Sequence, residues 1–170
     1  MNSSTDDNDQ IPEMQQNLNI LKKMPFFSAF PPQAMKLLAY LAERVQFAKD
    51  EILIEEGDDY GRAYLILTGK LILQRGSGSA ATVIRYFEAG DLIGSFSLLG
   101  DIPSLFQLQA ATEGTALTID REHFMKIAKQ FPEISGLAFQ GLLKKLYEWE
   151  RRNLALAQTC CMERSGATVL

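Results

Sequence analysis

Residues that commonly build catalytic or metal sites are scarce in this chain of 170 residues. It contains one histidine, His123, and two cysteines, Cys160 and Cys161, which are adjacent. Adjacent cysteines rarely satisfy disulfide geometry together, and with a single distant histidine they make no four-ligand zinc set. We therefore expect two reduced thiols at a helix end or in a tail.

Positive charge is also in short supply. Lys and Arg total 17 against 21 Asp and Glu, so the formal net charge is −4. Binding to a nucleic acid backbone needs clustered positive charge, and the sequence therefore predicts no DNA binding by this chain. No apolar run reaches the ~18 residues that cross a bilayer, and the polar N-terminus lacks a signal-peptide pattern. A cytoplasmic protein without membrane contact of its own is expected.

Known catalytic motifs are missing as well. The sequence has no nucleophile elbow, dinucleotide fingerprint or metal-ligand spacing. His123 follows Arg121 and Glu122 at an expected helix start, where a solvent-facing position is the simpler interpretation. The carboxylate pairs at 55–56 and 58–59 fall at a strand end and in a turn, where solvated charge is ordinary. We therefore expect a protein that is not an enzyme.

The first part of the chain changes from polar to amphipathic. Residues 1–16 are rich in Asn, Asp, Ser and Gln and are expected to form a disordered leader. From Leu18 to Leu41 apolar residues recur at helical spacing, interrupted by Pro25 and by Pro31-Pro32. Proline starts helices but does not continue them, so this region predicts two short helices.

The middle of the chain has the pattern of short strands. From Val45 to Ile119, β-branched and aromatic runs alternate with turns that contain Gly and Asp. The segment Gly76–Ser79 lies between two such runs and is interpreted as a hairpin loop, because no helix follows it as a phosphate cradle would require. Many short strands at regular spacing predict a mainly β fold with flanking helices.

Helical periodicity returns at the end. Asp120 is placed to cap a helix that Phe131-Pro132 ends. A last helix is expected over residues 132–158, followed by a tail at 159–170.

Four short motifs occur in a recognisable order. They are Glu56-Gly57-Asp58 ahead of Tyr64–Gly69, then Ala89–Gly94, and finally Asp120–Phe124. Their order and spacing resemble the cyclic-nucleotide-binding domain family. The resemblance implies that residues 17–131 form a jelly-roll β-roll, also called a double-stranded β-helix. It also implies an effector domain without the DNA-binding domain that some family members carry, since few residues follow the last helix.

The resemblance implies a phosphate-binding cassette between two of the strands. In the family, backbone N–H groups of a short helix receive the cyclic phosphate, a glutamate after the cassette glycine binds the ribose, and an arginine pairs with the phosphate. This sequence has Ser95 and Ser104 at those two positions. The candidate ligand-binding residues are Gly94, Ser95, Phe96, Ser97, Ser104 and Leu105. A cyclic nucleotide bound weakly or in a non-standard way is the implied ligand, and no other cofactor is expected.

The side chains after Ser104 leave two interpretations open. Leu105 and Phe106 are bulkier than the small residues of the family. Their bulk fits a pocket that is partly filled by the protein's own side chains, and it also fits an altered apolar ligand site.

The last helix carries an apolar stripe at three- and four-residue spacing. Its members are Phe139, Leu142, Leu146, Trp149, Asn153 and Leu156. The stripe has the a/d pattern of a helix seam with one polar position, which predicts a homodimer. The alternative is that the stripe packs on the β-roll of its own chain. In the resembling family this helix forms a lid and a dimer interface.

Two functional hypotheses follow. In the first, a stand-alone regulatory module couples ligand occupancy to movement of its C-terminal helix and so signals to an unknown protein partner. In the second, a degenerate, ligand-free domain acts as a dimeric interaction scaffold. They differ in whether a ligand distinguishes two conformations.

Overall fold

A computed structural model describes residues 12–76 and 81–156, with side chains omitted at 153, 155 and 156. Residues 1–11, the loop at 77–80 and the tail with its two cysteines lie outside the described part. The elements, in chain order, are α1 (Glu13–Lys22), α2 (Pro32–Leu41), β1 (Glu43–Phe47), β2 (Ile52–Ile54), β3 (Arg62–Thr68), β4 (Leu71–Arg75), β5 (Thr82–Phe87), β6 (Leu92–Ile93), a 3-10 helix (Ser95–Leu98), β7 (Gln107–Ala110), β8 (Gly114–Asp120), α3 (Arg121–Gln130) and α4 (Glu133–Leu156).

The strands form two antiparallel four-stranded sheets. The first has the order β1-β8-β3-β6 and the second has the order β2-β7-β4-β5. The chain changes sheet repeatedly, which wraps the two sheets around a common interior as a jelly roll. The prediction of a mainly β fold with flanking helices is confirmed.

Strand β3 shows why both sides of the first sheet are buried. Alternate side chains of a strand point to opposite faces. Tyr64 and Ile66 join the apolar cluster inside the roll, whereas Ala63 and Leu65 join the cluster beneath the helices. The roll interior and the helical layer therefore share this sheet as a common wall.

The first helix begins earlier than the sequence analysis predicted. α1 starts at Glu13, so residues 13–16 are helical and do not belong to a leader. Arg44 on β1 holds this turn of the helix, because its guanidinium donates to Asn17 Oδ1 and to Gln16 Oε1, both at 3.0 Å. The polar composition of the segment concealed a helix whose polar side chains bind another element.

The two C-terminal helices lie where they were expected, with one local difference. Asp120 precedes α3, but its carboxylate makes no capping hydrogen bond. It forms an ion pair with Arg62 at 3.0 Å instead. These two residues are register partners at one end of the paired strands β3 and β8. The carboxylate therefore stabilises the strand pair and not the helix start.

Candidate functional site

Gly94 begins the cassette between β6 and the 3-10 helix. Its φ is 76°, in the left-handed region that side chains disfavour. A Cβ at this position would lie 2.6 Å from the Arg62 carbonyl oxygen and 2.8 Å from the Tyr60 ring. The absence of a side chain at Gly94 therefore lets the backbone lie close to β3 and to Tyr60.

The short helix places two serines inside the fold. Ser95 is 4% exposed and Ser97 is 1% exposed. The Ser97 amide donates to the Gly94 carbonyl at 3.0 Å, and the Ser97 side chain lies near the Tyr60 hydroxyl and acts to lower its pKa. Burial raises the pKa of the Tyr60 hydroxyl, so it remains protonated. The side chains of Ser95, Ser97 and Tyr60 therefore give this part of the cassette neutral hydroxyl groups.

Ser104 is fixed by its own backbone surroundings. Its amide donates to the Asp58 carbonyl at 2.9 Å, and its carbonyl accepts from the Gly57 amide at 2.7 Å. Its hydroxyl donates to the Phe106 carbonyl at 2.7 Å. Both ends of the cassette are thus anchored, the first to β3 and the second to the turn after β2.

Two of the candidate residues point away from the buried serines. Phe96 is 52% exposed and Leu105 is 81% exposed. Leu105 therefore does not fill the pocket, contrary to one of the two interpretations of its bulk. Phe106 is the residue that packs against the cluster inside the roll.

Arg121, the first residue of α3, joins three neighbouring segments and was not recognised as important from the sequence. Its guanidinium donates to the Ser97 carbonyl, to Asp59 Oδ2 at 2.8 Å, and to Asp101. The hydrogen bond from Arg121 is the largest cause that lowers the pKa of Asp59. Its place in the Asp120–Phe124 motif was the available signal.

His123 is also placed differently from the expectation of a solvent-facing side chain. Its Nδ1 atom is buried and has no hydrogen-bond partner among the described residues. The ring lies in a polar cleft of about 350 Å³ that Tyr60, Arg62 and Asp120 also line. No group of three or more metal-ligating side chains lies within 12–76 and 81–156.

The apolar stripe of α4 is only partly covered by the described chain. Leu142 is 5% exposed, whereas Phe139, Leu146 and Trp149 are 55%, 38% and 60% exposed. The side chains of Asn153 and Leu156 are not among those described.

An apolar groove of about 290 Å³ joins this stripe to the cassette. It is lined by Phe96, Leu99, Gly100 and Ile102 on one side and by Phe139, Leu142, Leu143 and Leu146 on the other. The structure therefore brings Phe96 together with three of the predicted seam residues, Phe139, Leu142 and Leu146.

Within the described ranges, no helix combines the length and apolar character that spanning a membrane requires.

The jelly roll with a short helix between β6 and β7 places the chain among small β-roll domains, and comparison with known proteins specifies the family. The family model of the cyclic nucleotide-binding domain matches residues 44–131 of this chain. The chain therefore belongs to the cyclic nucleotide-binding domain family.

Relatives in this family include gene regulators and kinase subunits. The chain is similar to a CRP-like cAMP-activated global transcriptional regulator of Mycobacterium tuberculosis, with 25% identity over 128 residues. It also resembles a cAMP-dependent protein kinase regulatory subunit of Hypocrea atroviridis, with 24% identity over 109 residues. The matches cover 75% and 64% of this chain, and they span 57% and 23% of those relatives.

A solved structure agrees over nearly the whole described fold. The cyclic nucleotide-binding domain from Methylobacillus flagellatus superposes with a TM-score of 0.68 at 21% identity. The match covers 87% of this chain and 85% of that chain. At this identity the comparison supports the fold alone.

Proposed function

We propose that this chain is a regulatory module in which occupancy of the region around the cassette changes the position of α4. The observation that carries the proposal is the apolar groove between Phe96 and the seam residues Phe139 and Leu142. Because the groove has walls from both elements, a displacement of the 3-10 helix changes the surface on which α4 packs. A ligand that favours one arrangement then shifts the helix population.

The cassette of this module is non-standard. From Gly94 to Leu105 the only ionisable side chain is Asp101, which is acidic. The buried hydroxyls of Ser95 and Ser97 and the backbone remain to bind a ligand. Losing one charge-assisted hydrogen bond lowers affinity by about 10- to 100-fold. We therefore expect a cyclic nucleotide to bind weakly in this cassette.

Calorimetric titration with cyclic AMP, cyclic GMP and cyclic di-GMP tests the proposal. We expect weak, saturable heat from at least one of these ligands. The double variant Ser95→Glu/Ser104→Arg supplies the missing carboxylate and guanidinium, so it should bind about 10- to 100-fold more tightly. Leu105→Arg is the control, since it adds the same positive charge at an adjacent position that points to solvent. Absence of saturable heat from both the wild type and the double variant would contradict ligand sensing at the cassette.

The second candidate function is a dimeric interaction scaffold without a ligand. The exposure of Phe139 and Leu146 favours it, because apolar residues aligned on one helix face are common where a second chain binds. Self-association is compatible with ligand sensing, so the calorimetric result separates the two functions.

A further inference from the structure

A second cleft lies on the other side of the seam, away from the cassette. It has a volume of about 360 Å³ and is enclosed by residues 24–26, the end of β5, the β5–β6 turn and α4. None of residues 94–105 lines it. We call it the α4 cleft, defined by Phe26, Arg85, Asp91, Lys145, Trp149 and Arg152.

Three cationic side chains line the α4 cleft. Lys145 and Arg152 are seven residues apart on α4, which places them on the same face of the helix two turns apart. Arg85 lies across from them on β5, with its guanidinium carbon 4.7 Å from the centre of the Phe87 ring. The cations therefore reach the cleft from two separate elements.

These cations are poorly neutralised within the described part of the chain. Arg85 approaches Asp91 only to 3.9 Å, and the other Asp91 oxygen accepts the Glu88 amide at 2.9 Å. Lys145 and Arg152 have no carboxylate within 4.0 Å among the described residues. Lys145 instead lies 5.7 Å from the centre of the Phe26 ring. With Asp91 and Glu148 as the lining acids, three cations face two carboxylates.

The surroundings of Lys145 favour the approach of an anion. The Lys145 side chain is exposed as a whole, but partial burial of its ammonium group is the largest cause that lowers its pKa. A partly desolvated cation without a close counter-ion gains more from an incoming anion than a solvated one does. Trp149, on the same helix face and 60% exposed, offers a flat aromatic surface beside that cation.

We propose that the α4 cleft binds a small anion that carries a flat aromatic ring, for which a nucleoside monophosphate is the simplest representative. Lys145, Arg152 and Arg85 would hold the anionic group, and Trp149 would stack on the ring. Cassette side chains take no part in this site. The proposal therefore stands or fails independently of ligand binding at the cassette.

Trp149 provides a direct signal, because it is the only tryptophan in the sequence. The full chain is titrated with 5′-AMP while the indole is excited at the red edge of its absorption band, where adenine does not absorb. Adenosine, which has the ring without the charge, and inorganic pyrophosphate, which has the charge without the ring, are titrated in parallel. We expect saturable quenching by 5′-AMP, and binding of each partial ligand at least about 10-fold weaker.

A matched pair of double variants tests the cations. Lys145→Gln/Arg152→Gln should weaken 5′-AMP binding by about 10- to 100-fold. Lys144→Gln/Arg151→Gln removes the same charge from neighbouring positions that do not line the cleft and should leave the affinity within about twofold. Circular dichroism of both variants checks that the helix is retained.

Two results would overturn the α4 cleft as a binding site. One is the absence of saturable quenching by 5′-AMP in the wild type. The other is equal affinity of the two double variants. Calorimetric heat from a cyclic nucleotide that the Lys145→Gln/Arg152→Gln variant retains unchanged reports binding at the cassette, so failure of the cleft proposal and failure of the cassette proposal are distinguishable.

Discussion

Gly94 occupies a position where a side chain would collide with the backbone of β3. Its positive φ and the 2.6 Å approach of the Arg62 carbonyl oxygen to a hypothetical Cβ both oppose substitution. We expect Gly94→Ala to lower the free energy of unfolding by about 2–4 kcal/mol. Urea denaturation followed by circular dichroism measures the change.

Gly100 offers the matched control for this substitution. It closes the same short segment, yet a Cβ there would meet no atom within 4 Å. Gly100→Ala should change stability by no more than about 0.5 kcal/mol. Equal stability of the two alanine variants would contradict the packing described for Gly94.

Single residues of the cassette differ in how well the sequence predicted them. Gly94 was singled out because it ends the Ala89–Gly94 motif, and a local pattern of this kind can be recognised in the sequence. The outward direction of the Leu105 side chain could not be predicted from such a pattern. Hydrogen bonds of Ser104 to Phe106 and to the turn at 57–58 set this direction. A partner about 46 positions away leaves no local pattern in the sequence.

At the scale of elements, Arg121 clamps α3 to the cassette and to the turn before β3. Its ion pair and hydrogen bond lower the folded-state pKa of Asp59. The unfolded reference is about 3.9, so the contribution of Asp59 to stability is complete above that pH and is lost as the pH falls through the lower folded value. We expect Asp59→Asn to be less stable than the wild type at neutral pH, with the difference shrinking below pH ~4.

Urea unfolding at a series of pH values tests this clamp. Asp58→Asn is the control, because its carboxylate forms no ion pair with the described residues. Its stability should follow the wild type throughout. A constant difference between Asp59→Asn and the wild type down to pH ~3 would show that the loss is unrelated to the charge of Asp59.

The boundaries of helices and strands could be predicted where apolar periodicity marked them. The predictions were wrong where polar residues form tertiary contacts. The strands followed from alternation and turn residues, and the helix over 133–156 followed from its stripe. The start of α1 was missed because Gln16 and Asn17 are polar in sequence but bind Arg44 in the fold. The expected capping hydrogen bond from Asp120 was wrong because its carboxylate pairs with Arg62 instead. Arg62 lies on another strand, so the local sequence around Asp120 does not reveal this competitor.

At the scale of the whole molecule, the exposed seam predicts self-association. Phe139 and Leu146 are 55% and 38% exposed on one helix face. We expect a dimer in sedimentation velocity, and Phe139→Ser/Leu146→Ser should raise its dissociation constant by about 100-fold through lost apolar burial. Tyr40→Ser on α2 is the control, since Tyr40 is 71% exposed and lies off the seam. A monomeric wild type at micromolar concentration would rule out the seam as a dimer interface.

The fold as a whole was the most predictable property, and the charge arrangement was the least. Glycine turns and strand spacing repeat along the sequence, so each supports the same β-roll. The α4 cleft, in contrast, joins Arg85 on β5 to Lys145 and Arg152 on α4. Only the folded chain brings residues with that separation together, and no local pattern in the sequence marks them.

The shared wall formed by β3 has a consequence for how the domain responds to binding. Because Tyr64 and Ile66 complete one core while Ala63 and Leu65 complete the other, neither core survives the loss of this strand. The roll and its helical layer should therefore melt as a single cooperative unit. A ligand bound on either side then protects both layers together from thermal unfolding and from amide hydrogen exchange through global opening.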